Sequence, residues 1–133
     1  AVTPPAQVIG MILRGIFLGR PKDVRWFYQE GASRMLPDSW EAYKNLVPEN
    51  NSHDLVGAYY DLLTSENKQV QLKAADIWSK WEAGASKLIP TQEQISNFDD
   101  QELALAIARI ECHYFVNNMF FGFIIDSEFA KFR

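Results

Sequence analysis

The stretch RIECHYF, Arg109 to Phe115, sets a carboxylate, a thiol and an imidazole side by side. A metal site would need them to converge, and a nucleophile–base pair would need hydrogen-bond reach between them. Helical spacing separates them instead. At about 100° per residue, Cys112 and His113 diverge and cannot easily share one metal. Arg109 and His113 fall nearly opposite Glu111. Glu111 shares its face with Ala104, Ile107, Ala108, Tyr114, Phe115 and Asn118, an apolar and aromatic wall around one carboxylate.

Glu82 repeats the theme on a second long helical pattern. Its face carries Ala75, Trp78, Ser79, Ala85 and Ser86, small residues that a partner helix can approach. A buried carboxylate is costly unless paired or hydrogen-bonded. Two readings are open: each glutamate makes a structural ion pair with Arg14, Arg25 or Arg34, or the two share one positively charged ligand.

Other chemistry-bearing residues point to bland roles. Ser33 in GASR and Ser86 in GASK lack the second glycine of a G-x-S-x-G nucleophile elbow. His53 in NNSHD is expected in an exposed loop or cap. Cys112 is expected to be a small packed residue, since no cation or helix N-terminus is placed to lower its pKa. With Cys112, His53 and His113 as the whole supply of soft or borderline ligands, no metal and no cofactor are expected.

The elements that must position these residues are mostly helical. Gln7 to Leu13, QVIGMIL, reads as a strand buried on both faces, the kind a parallel sheet uses, yet no second such strand follows. Helical patterns then run from about Asp23 to Glu30 with Gly31 as the stop, and through LPDSWEAYKNLVP with Asp38 or Ser39 near its start. SHDLVGAYYDLLTS gives a third, and the run from Ser65 to Pro90 a fourth. DDQELALAIARIECHYFVNNMFF gives a fifth, capped by Asp99 or Asp100. The tail DSEFAKFR begins a sixth. The fold class is therefore mainly α, about five to six helices preceded by one short β-strand, and 1–133 reads as a single domain.

Composition narrows the function classes. At 133 residues and 47% hydrophobic, the chain can bury a real core. The net charge is -4 and no basic tract occurs, so nucleic acid is not an expected partner. No apolar run is long enough for a membrane span, and no Lys/Arg-led signal segment opens the chain. A single cysteine fits a reducing compartment, hence a cytoplasmic location.

Five blocks, in order, carry a resemblance. LRGIFL (Leu13 to Leu18), WFYQEGASRMLPDSWE (Trp26 to Glu41), GAYYDLLTS (Gly57 to Ser65), VQLKAADIWSKWEAG (Val70 to Gly84) and ALAIARIECHYFVN (Ala104 to Asn117) resemble the proline iminopeptidases, serine-type prolyl aminopeptidases of the α/β-hydrolase fold. The resemblance covers roughly nine tenths of the chain and only part of the family's length. It implies the helical cap of such an enzyme, with 7–13 as a strand of the hydrolase core. The family's serine elbow and its catalytic Asp and His have no match here, so the chain alone is expected to be non-catalytic.

The same resemblance implies the site. Glu82 and Glu111 match the pair that binds the substrate's free amino group. Phe17, Phe27 and Phe115 match the apolar pocket for the proline ring, although Phe27 stands where some relatives have tyrosine. Arg14 matches an arginine near the active site that orients a glutamate or the peptide. Cys112 stands where relatives commonly have asparagine, and GFIID after Phe121 departs from their usual acidic turn. The implied partner is a peptide with a free N-terminal proline, and the unpaired strand suggests self-association of the isolated chain. The alternatives are the cap of a related α/β-hydrolase aminopeptidase or amidase, and a free-standing helical module that binds a ligand or protein.

Overall fold

A computed structural model describes residue 12, residues 17–86 and residues 100–120. The expected strand at 7–13 (apart from Ile12), Arg14, residues 87–99 and the expected sixth helix lie outside the described residues. Within them the chain is helical: α1 (Pro21–Arg25), α2 (Pro37–Asn45), α3 (Leu55–Leu63), α4 (Lys68–Ser86) and α5 (Gln101–Val116).

Local chemistry sets the helix starts. Pro21 and Pro37 open α1 and α2, where a missing N–H is harmless and φ is already helical. The Asp54 carboxylate accepts from Gly57 N at 3.0 Å and caps α3. Of the two candidate caps for α5, Asp100 does the work, accepting from Glu102 N at 3.1 Å and Leu103 N at 3.0 Å. The second pattern starts at Pro37, one or two residues earlier than its Asp and Ser suggest, and ends at Asn45 before Pro48 is reached.

The first pattern departs most from the sequence reading. It starts at Pro21, two residues before Asp23, and after Arg25 it widens into a π-type turn over Trp26–Glu30, with Gly31 N bonded back to Trp26 O at 2.8 Å. Gly31 does not stop it in a left-handed cap. Its φ and ψ are right-handed helical, and the chain runs on through a short 3-10 turn, Ala32–Arg34. The wide turn brings two successive aromatics to the tryptophans of α4: Phe27 lies 5.7 Å from Trp81, and Tyr28 lies 4.7 Å from Trp78.

The core is aromatic. Tyr28, Tyr43, Tyr59, Trp78 and Trp81 are all buried, with Leu55, Leu63, Leu105 and Cys112 filling in around them. Tyr43 of α2 stacks on Tyr59 of α3 at 4.6 Å and on Trp81 at 5.4 Å. Such contacts add about 0.5–1.5 kcal/mol per pair beyond burial. Small residues on the helix faces, Ala74, Ala75, Ala104 and Ala108, are buried and let α4 and α5 pack closely. Polar ties lock the order of the elements: Gln29 donates to Ser52 O and accepts from Leu55 N, and Arg109 Nε donates to Leu63 O at 2.7 Å at the end of α3.

Candidate functional site

Glu82 lies one turn after Trp78 on α4, on the same stripe as Ala74, Ala75, Trp78 and Trp81 that faces the core. Glu111 lies on the flank of the α5 face formed by Ala104, Ala108 and Cys112. Both residues are partly buried. The wall expected around Glu111 holds on one side only. Ala104 and Ala108 are buried, whereas Ile107, Tyr114 and Asn118 are exposed, because α5 turns its Leu105–Cys112 side to the core.

The partners of the two carboxylates were not foreseen. Tyr28 OH donates to Glu82 Oε1. Trp78 Nε1 donates to Glu111 Oε2 at 2.9 Å. The two donor rings stack on each other, 12° apart in plane with centroids 4.7 Å apart. Arg25, one of the cations considered as an ion-pair partner, bonds instead to Glu30 at 3.0 Å on the surface. Tyr28 and Trp78 carry the one signal that could have found them: each is an aromatic with a polar head, and each must satisfy that head when buried.

Burial pushes the Glu82 carboxyl up to about 7; the Tyr28 hydroxyl opposes that and the nearby Glu111 charge adds to it. Burial also raises Glu111 above the usual carboxylate range, with the Trp78 indole pulling the other way. Tyr28 is pushed well above its ordinary value by burial and by both carboxylates, so it stays a neutral donor. The Glu111 charge thus raises the proton affinity of Glu82 in a partly buried setting. A positive ligand between them relieves the repulsion and favours the ionised form of both.

The aromatic residues expected at the site fall into two groups. Phe115 meets Tyr28 at 5.0 Å and Trp78 at 6.3 Å, and the half-exposed Phe17 meets Phe115 edge-on at 6.1 Å. Phe27 lies on the Trp81 side of Tyr28. Phe17 and Phe27 nevertheless line one surface hollow of about 470 Å³, with Leu18, Asp23 and Trp26. A second hollow of about 570 Å³ borders Phe115 together with Val24, Gln29 and His53. Glu82 and Glu111 line neither hollow.

The remaining candidates take the bland roles expected of them. Cys112 is fully buried, and burial pushes its thiol up, away from nucleophilic character. His53 is exposed, with Nδ1 3.1 Å from Asn50 O, and Ser33 Oγ donates to Glu30 O. Among the described residues no three His, Cys, Asp or Glu side chains gather as a metal site would require, and no helix is long and apolar enough to cross a membrane.

No protein-family model matches the chain. Individual relatives do. A probable proline iminopeptidase of Leptolyngbya boryana is 49% identical over 119 residues, which is 90% of this chain and 37% of that protein. The proline iminopeptidase of Xylella fastidiosa strain Temecula1 is 46% identical over 91% of this chain and 39% of its own length. That of Arabidopsis thaliana is 46% identical over 88% of this chain and 31% of its own. The chain thus spans between about a third and two fifths of the curated relatives it matches. Over about nine tenths of its length, this chain is homologous to one segment of the proline iminopeptidases.

Proposed function

We propose that this chain is the substrate-selecting helical part of a proline iminopeptidase, a serine-type peptidase of the α/β-hydrolase fold that removes N-terminal proline from peptides. Glu82 and Glu111 receive the free terminal nitrogen. The observation that carries this reading is the pair itself: two partly buried carboxylates, each held by an aromatic donor, in a setting that favours a cation between them. An N-terminal proline offers a ring ammonium with two hydrogens, a match for two carboxylate acceptors; an internal or acylated proline offers none. Phe17, Phe27 and Phe115 supply apolar surface for the ring, and Arg14 orients a glutamate or the bound peptide.

The serine, aspartate and histidine of the family's triad have no counterpart in this sequence, so the reading assigns the chain selection rather than bond cleavage. It also places the protein in the cytoplasm, in keeping with one buried, unpaired cysteine. Self-association through the apolar run at 7–13 belongs to the same reading; a monomer by sedimentation equilibrium would remove it.

Binding of small amides to the purified chain is the direct test. Prolinamide should bind and N-acetylprolinamide should not, and neither should be hydrolysed. Equal binding of the two would overturn the amine role of the glutamates. Alanine and leucine amides binding as well as prolinamide would move the assignment to another aminopeptidase of the same fold. In an intact enzyme, Glu111→Gln should lower proline-amide turnover about a hundredfold, the consequence of a charged partner left unpaired.

A further inference from the structure

We infer that Tyr28 and Trp78 are positioning residues: their stacked rings form one platform whose two polar heads fix Glu82 and Glu111 in the orientation that receives a ligand. What the carboxylates receive rests on the amine-binding reading above; that they are held by this platform does not.

The hydrogen bonds cross between elements. Trp78 shares α4 with Glu82 but donates to Glu111 on α5. Tyr28, from the Trp26–Glu30 turn, donates to Glu82. The stack therefore ties three elements to one pair of carboxylates, and a shift of either ring moves both acceptors. The rings themselves have little freedom. Trp78 is 1% exposed and Tyr28 3%. Phe115 at 5.0 Å and Phe27 at 4.7 Å close the other sides of Tyr28. A glutamate side chain rotates about three bonds, and a carboxylate penalised by burial turns toward water unless a donor retains it. Two rigid donors keep both carboxylates turned inward, which preorganises the site.

Tyr28→Phe separates positioning from packing, because it removes the hydroxyl and keeps the stacked ring. Among the described residues, the groups facing Glu82 include Tyr28 from the wide turn, Tyr43 from α2, and Glu111 and Cys112 from α5. Burial raises Tyr28, Tyr43 and Cys112, so all three stay neutral across the range in which the glutamates titrate. Carbon-13 NMR of the glutamate carboxyls in the 133-residue chain reads the effect. In Tyr28→Phe the Glu82 midpoint should rise by about one pH unit, as loss of a donor to the ionised form requires. The dissociation constant for prolinamide at pH 8.5 should rise about tenfold. In the unsubstituted chain, the Trp78 indole N–H resonance should follow the titration of Glu111.

An unchanged Glu82 midpoint in Tyr28→Phe overturns the inference, and so does undiminished prolinamide binding by that variant. A raised midpoint in a chain that binds no prolinamide upholds the platform and removes the amine reading instead. Should Tyr28→Phe not fold, the indole resonance decides: one that ignores Glu111 overturns the inference, and one that tracks it upholds it.

Discussion

Glu82→Gln should make the protein more stable at alkaline pH while abolishing its capacity for an ammonium ligand. An unfolded glutamate titrates near 4.5, and in the fold burial raises Glu82 to about 7. The folded state therefore binds the proton more tightly than the unfolded state does. The stability contributed by that proton is full below about pH 4.5 and is lost as pH rises through about 7. At 1.36 kcal/mol per pH unit, the interval between 4.5 and about 7 corresponds to about 3 kcal/mol. Glu111, also raised by burial, adds a loss of the same sign. Glutamine cannot ionise, and its amide oxygen can still accept from Tyr28. Urea unfolding at pH 5 and pH 8.5 measures the effect. The unsubstituted chain should lose stability between the two, by up to about 3 kcal/mol from Glu82. Glu82→Gln should be near neutral at pH 5 and stabilising at pH 8.5. Equal or rising stability of the unsubstituted chain from pH 5 to 8.5, or destabilisation by Glu82→Gln at both, would refute the reasoning.

Four further substitutions test the fold that supports the site. Tyr43→Phe should be neutral or stabilising, because its buried hydroxyl has no hydrogen-bond partner among the described residues. Tyr59→Phe should cost about 1 kcal/mol, because its hydroxyl donates to Tyr43 O at 2.8 Å inside the core; chemical denaturation of the two variants side by side gives the contrast. Asp100→Ala removes the acceptor for two amides at the start of α5 and should lower stability by about 1 kcal/mol, read as a shifted urea midpoint with unchanged slope. Gly19→Ala should cost about 1–2 kcal/mol in thermal unfolding. Gly19 has φ of +59°, a left-handed conformation that alanine resists, and its added methyl would press on the Met119 side chain.

The sequence by itself determined the helical character and the number of helices over the described span. Periodicity placed Glu82 beside Trp78, and the Asp-led start of the fifth pattern marked the cap that Asp100 provides. Those are local relations, decided within one or two turns. It also carried the kinship, because the blocks from Leu13 to Asn117 keep the order seen in the relatives. Only the tertiary structure decided who holds the carboxylates. Tyr28 reaches Glu82 across 54 positions and Trp78 reaches Glu111 across 33. The wide turn at Trp26–Glu30 breaks the 100° rule on which the helical wheel rests, and so presents Phe27 and Tyr28 to α4 together. Arginines were the natural partners to expect from charge alone. Among the described residues the fold meets the two carboxylates with neutral aromatic donors, which also fill the core.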